Sequence, residues 1–130
     1  MSLFAEHVEA AVLAKLATAG LSYEVLGVVP DKKLPPYTLV AESVMDDVGG
    51  KGLVIEQHQL TIRTLVAGTS KTPLLREQAR ITAALDRQPL SRAGVRLSAA
   101  EVRGGGNARE EGDGYLLAEL QVVVRARPPL

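Results

Sequence analysis

The 130-residue chain contains no cysteine and no tryptophan. The first absence excludes disulfides, thiolate metal sites and cysteine nucleophiles together. The second, with one Phe and three Tyr, leaves little material for aromatic ligand cages or base stacking. Net charge is missing too, because fifteen Lys and Arg stand against fifteen Asp and Glu. A protein that neutralises many phosphates shows a basic excess, so specific nucleic-acid binding is not expected. No apolar run approaches the ~18–20 residues of a membrane span. The opening Met1-Ser2-Leu3-Phe4-Ala5-Glu6 has neither the basic start nor the apolar block of a secretory signal, so synthesis in the cytoplasm is the expectation.

What is present is ample apolar material, 46% of the residues, in a length that suits one domain over residues 1–130. With so few aromatics the core must come from Leu, Val, Ile and Ala. A first helix is expected to begin after Ser2 as N-cap and to end at Gly20, with Phe4, Val8, Ala11, Val12 and Leu16 on one side. Two short apolar runs, Tyr23–Val29 and Tyr37–Ser43, are parted by a connection with three prolines, Pro30 to Pro36. The longest β-like stretch runs from Leu53 to Ala67 with Leu60, Ile62, Thr64 and Val66 inward, and its length predicts a bulge or a projecting end. A second helix comes next, with Pro73 in its first turn and Thr72 or Ser70 as cap. Leu74, Leu75, Ile81 and Leu85 are read as its buried side and Arg76, Arg80 and Arg87 as its outer side.

Val95–Arg103 reads as a weaker strand, and Tyr115–Arg127 as a closing strand with Leu116, Ala118, Leu120, Val122 and Val124 on one face. The order is α-β-β-β-α-β-β. It predicts an α+β two-layer sandwich, a mainly antiparallel sheet with two helices on one face. Flexible loops are expected at about 44–52 and 104–114.

The sequence offers no strong chemical motif. Gly49-Gly50-Lys51-Gly52 resembles a phosphate cradle only in part, since Gly52 stands where a hydroxyl residue is needed and a strand comes after it, not a helix. A hairpin turn explains it as well. Asp46 and Asp47 are followed by no ligand series for a hard cation. His7 and His58, the two histidines, have no partner at metal-binding spacing, and no Gly-x-Ser-x-Gly elbow occurs. No catalytic residue, metal or cofactor is therefore expected. Arg76, Arg80 and Arg87 are either a solvated helix face or a docking stripe for an acidic neighbour. The long loop at 104–114, which carries Arg109, Glu110 and Glu111, is either disordered or ordered by a partner.

The run Pro35-Pro36-Tyr37-Thr38-Leu39-Val40 resembles the strand opening of small phage tail-completion, or tail-terminator, proteins. The later elements keep that family's order. A charged Gly-rich loop leads to the strand His58-Gln59-Leu60-Thr61-Ile62-Arg63-Thr64-Leu65, then a Ser/Thr-rich turn opens the helix with Ala79-Arg80-Ile81-Thr82-Ala83-Ala84-Leu85, and a Gly/Asp-rich loop precedes the last strand. The resemblance covers about Val8 to Ala126.

It implies a non-enzymatic virion-assembly protein of phage, prophage or gene-transfer-agent origin. Such subunits form a ring, hexameric when assembled and sometimes monomeric before, at the head-proximal end of a tail tube. The implied partners are further copies of the chain, a tail-tube protein and a head-side connector, and the implied location is the virion tail, assembled in the bacterial host cytoplasm. The residues expected at interfaces are Asp46, Asp47 and Lys51, Arg76 and Arg80, and Arg109, Glu110 and Glu111. Two alternatives remain open: a head–tail connector or stopper, and a small α+β ligand-binding protein or enzyme with a pocket around His58.

Overall fold

A computed structural model describes residues 2–105, 108–110 and 114–130. Helix α1 (Ala5–Ala17) buries Val8, Ala11, Val12 and Leu16, and Phe4 just before it is buried with them. That is the predicted stripe. The helix starts later than expected, with Phe4 in the cap position. Ser2 still serves its first turn, its Oγ accepting from the N–H of Ala5 at 3.0 Å and of Phe4 at 3.3 Å. Regular helix ends at Ala17, and Gly20 lies beyond it with φ +70, a backbone conformation costly to a residue with a Cβ.

Strand β1 (Val25–Leu26) pairs parallel with β2 (Tyr37–Asp47) across the proline-rich connection. Only two residues of the Tyr23–Val29 run are strand. Strand β2 pairs antiparallel with β3 (Glu56–Ala67), and β3 with β7 (Tyr115–Arg127). Two corrections to the sequence reading arise here. Residues 44–47, read as loop, continue β2 as far as Asp47, and residues 53–55, read as strand, belong to the turn. The irregularity expected in the long strand lies instead in its partner, where the register shifts between Val40 and Ser43. Because strand side chains alternate, one extra residue exchanges the faces. Tyr37 and Leu39 share a face with Leu65 and Arg63, whereas beyond the shift Val44 and Asp46 share that face with Gln59 and Gln57.

Helix α2 (Thr72–Leu85) has Pro73 in its first turn as expected, but Lys71 occupies the cap position and no side chain caps the helix. Its buried side is Leu74, Glu77, Gln78, Ile81 and Leu85. Leu75 is 51% exposed, which corrects its placement among the core residues. The helix packs on a stripe at spacings of three and four, and that stripe recruits two polar residues whose partners lie far away in sequence. Gln78 Nε2 donates to Thr64 Oγ1 at 3.1 Å, and Thr64 also bonds Thr38 across the sheet at 3.1 Å.

The Val95–Arg103 strand is divided into β4 (Arg96–Leu97) and β5 (Glu101–Gly105), and β6 (Arg109–Glu110) lies within the expected loop. All three pair antiparallel with β7 at successive places along it. The result is an α+β fold, with the helices against one face of a mostly antiparallel sheet. Strand β7 has the predicted bounds. Its inward set Leu116, Ala118, Leu120, Val122 and Val124 is buried, as is the inward set of β3.

Candidate functional site

Two buried glutamates organise the surroundings of α1. Glu56, at the start of β3, is 4% exposed. Its carboxylate accepts from the N–H of Leu3 at 2.8 Å and of Phe4 at 3.3 Å, and from Ser2 Oγ at 2.8 Å. His58, also fully buried, places Nε2 at 2.9 Å from the same carboxylate. Burial is the largest single influence on Glu56 and pushes its pKa up. The hydrogen bonds from Leu3, Ser2, His58 and Phe4 together outweigh it and hold the group below the ordinary carboxylate range.

Glu77 does the corresponding work at the other end of α1. From helix α2 it accepts from the N–H of Ser22 at 3.3 Å and of Tyr23 at 2.9 Å. It also pairs with Arg80 at 3.2 Å, and Arg80 in turn donates to Ser22 Oγ at 2.7 Å.

The turn between β2 and β3 extends the ladder past the strands. Val48 N–H donates to Ile55 O at 2.9 Å, and Leu53 N–H to Gly50 O at 3.0 Å. Gly49 N–H donates to Asp47 Oδ1 at 3.0 Å. A Cβ on Gly49 would strike the Leu53 carbonyl oxygen, so this close approach requires glycine. Around the turn, Val44, Val48, Leu53 and Val54 are all exposed, beside the exposed Asp46 and Asp47.

On the helix layer a recess of about 480 Å³ opens between the helices, lined by Lys15 of α1 with Thr18 and Ala19 just beyond it, and by Arg80, Ala83 and Ala84 of α2. The uncovered sheet face carries a polar network. Glu119 pairs with Arg63 at 2.9 Å and with Arg109 at 3.0 Å. Burial pushes the Glu119 pKa up, but the two guanidinium groups more than offset it and leave it lowered. Arg63 and Arg109 also line, with Tyr37, Leu39, Leu65 and Leu117, a second recess of about 460 Å³ on that face.

The residues read from the sequence as interface candidates thus fall into three places. Asp46, Asp47 and Lys51 are exposed at the β2–β3 hairpin end, the two aspartates in strand and not in loop. Arg76 and Arg80 are exposed on α2, whereas Arg87 lies beyond that helix with φ +60. Arg109 and Glu110 are exposed in β6, and Glu111 lies outside the described residues. Sequence reasoning missed Lys15 and the alanines as recess-lining residues, because only helix packing brings them opposite Arg80. It also missed the apolar character of the hairpin end, for which Val44, Val48, Leu53 and Val54 flanking a Gly-rich turn are the available signal.

The expected landmark of an enzyme or binding pocket is not where the sequence alternative put it. His58 is buried against Glu56 and lines neither recess. His7 Nδ1 accepts from Arg92 Nε at 2.9 Å. Among the described residues no three His, Asp or Glu side chains gather as a metal site, and no helix is long and apolar enough to cross a membrane.

No protein-family model and no curated protein sequence matches the chain. Its fold is shared with a solved chain from the virion of a native gene transfer agent particle. The two are 18% identical, superpose with a TM-score of 0.78, and the match covers 98% of each chain.

Proposed function

We propose that the chain is a structural subunit of a phage-like particle, a tail terminator that assembles as a ring at the head-proximal end of a tail tube. The observation that carries this reading is the end-to-end fold similarity to a gene transfer agent virion chain. It joins the independent resemblance of Pro35–Val40 and the later elements to tail-completion proteins. The surface is compatible with such a role. One sheet face is left uncovered by helices, apolar side chains are exposed at the hairpin end, and the two histidines are engaged with Glu56 and Arg92.

A ring subunit needs two unlike patches, each meeting the other on a neighbouring copy. Interspersed charge of both signs and no net excess suit that requirement. The ring would end tube growth and offer its far side to a head-side connector.

Native mass spectrometry and cross-linking over a concentration series, with and without a tail-tube protein from the same source, test the proposal. A ring-sized species, about six copies, or capture by tube ends is expected. A monomer at every concentration that also ignores the tube overturns it. Retention of a connector without any affinity for the tube would reassign the chain to the connector side of the junction.

A further inference from the structure

The hairpin end and the inter-helix recess are complementary in chemistry and separated in space. The hairpin end presents Val44, Val48, Leu53 and Val54, four of the large apolar side chains left exposed, on a turn fixed by its own backbone bonds. Asp46 and Asp47 against Lys51 leave residues 44–54 with one net negative charge. The recess is lined by the small side chains of Ala19, Ala83 and Ala84 together with the cations Lys15 and Arg80. Alanines leave room for branched side chains from outside, and the cations match the hairpin's acids.

One molecule cannot bring the two together. Glu56 at the hairpin base binds the entry to α1 through Leu3 and Phe4, whereas the recess is lined by Lys15 in the last turn of α1 and by Thr18 and Ala19 just past it. The 13 residues between those ends span about 20 Å at the helical rise. A projection on one side and a matching recess on another is the arrangement of a heterologous interface, which closes into a ring when the rotation permits.

We infer that the β2–β3 hairpin end of one copy of this chain seats in the cleft between α1 and α2 of the next copy. This rests on the ring reading above and names the surfaces that build it. Val48, Leu53 and Val54 pack against the alanines that line the cleft, and Asp46 and Asp47 face Lys15 and Arg80. The occupant is a second copy because both halves of the complementary pair are carried by this one chain.

The lack of native cysteine makes the test clean. Full-length Leu53→Cys and Ala83→Cys variants, at an exposed turn position and at an exposed position lining the recess, are mixed and oxidised mildly. The control mixture pairs Leu53→Cys with Gln59→Cys, an exposed position on the uncovered sheet face. The expected result is a mixed disulfide dimer about tenfold more abundant in the first mixture than in the control, since docking raises the effective thiol concentration.

A second measurement uses charge exchange, and circular dichroism verifies that each variant is folded. Asp46→Lys and Lys15→Glu each weaken self-association about fivefold, and mixing the two variants restores it, because contacts between unlike copies then pair opposite charges. Self-association without a selective cross-link and without charge rescue overturns this contact while leaving the ring reading intact. Monomers at every concentration with no affinity for the tube overturn both. Hairpin variants that lose tube binding while self-association is unchanged assign the hairpin to the tube and overturn the inference.

Discussion

Helix α1 is fastened at both ends by a buried glutamate from another element, and the two fastenings differ in every neighbour. Glu56 reaches from a strand to the residues before the helix, and its donors include the fully buried His58. Glu77 reaches from helix α2 to the residues after it, and its cationic partner Arg80 is half exposed, with 49% of its side chain accessible. Removal of Glu56 strands the fully buried His58, whereas removal of Glu77 frees a cation that solvent can reach. The two also serve different surfaces. Glu56 joins the base of the β2–β3 hairpin to the helix entry, and Glu77 holds Arg80 and the helix exit where the recess lies.

The largest expected effect comes from Glu56→Ala. It leaves the Leu3 N–H, the Ser2 hydroxyl and the buried His58 Nε2 without their acceptor and the Phe4 N–H with only its bond to Ser2 Oγ, at a cost of about 3–4 kcal/mol. Urea denaturation measures this, and hydrogen exchange should show lost protection concentrated at residues 3–8. A loss below about 1 kcal/mol would mean that the helix entry is held chiefly by apolar packing of Phe4.

Glu77→Ala should cost about 2–3 kcal/mol, less than Glu56→Ala because Arg80 can turn to water while only two backbone donors at Ser22 and Tyr23 lose their partner. Exchange should quicken around 22–26 and leave the hairpin base unchanged. If both variants loosened the same amides, the two fastenings would be one cooperative unit and the comparison would fail.

Periodicity makes the frame of the fold legible in the sequence. The closing strand alternates so regularly that its bounds, Tyr115 and Arg127, coincide with the observed ones, and the inward sets of β3 and α1 emerge from spacing alone. Contacts between distant residues lie beyond the reach of periodicity. Leu75 and Glu77 are a case in point. Hydropathy assigns the leucine to the core and the carboxylate to water, yet Ser22 and Tyr23, more than fifty residues earlier, supply the donors that allow the reverse. The one-residue register shift near Ala41 is equally invisible, because it is defined only by the partner strand. Of the candidate interface, the exposure of Asp46, Asp47, Lys51 and Arg76 was legible, although the two aspartates end strand β2 and do not lie in the turn. The recess opposite Arg80 was not, since two separate helices form it.

The smallest effect concerns the acidity of Glu56. The Glu56 carboxyl is held below its ordinary range, so its folded pKa lies beneath the unfolded value of about 4.3. A group depressed in this way contributes stability that is fully present above the unfolded pKa and is lost as pH falls through the folded one. Denaturation midpoints should therefore hold steady from neutral pH to about 5 and fall progressively below about 4. Glu119, also lowered by Arg63 and Arg109, adds to the same limb, so the informative variants are Glu56→Gln and Glu119→Gln, measured singly and together. Glu56→Gln keeps one acceptor oxygen, so its cost at pH 7 should be smaller than that of Glu56→Ala, about 1–2 kcal/mol. The gap between Glu56→Gln and wild type should close as pH falls through the acid limb, because the protonated carboxyl and the amide are then alike in charge. A gap that stays constant from pH 7 to pH 3 would show that shape and hydrogen bonding, not charge, decide what Glu56 contributes.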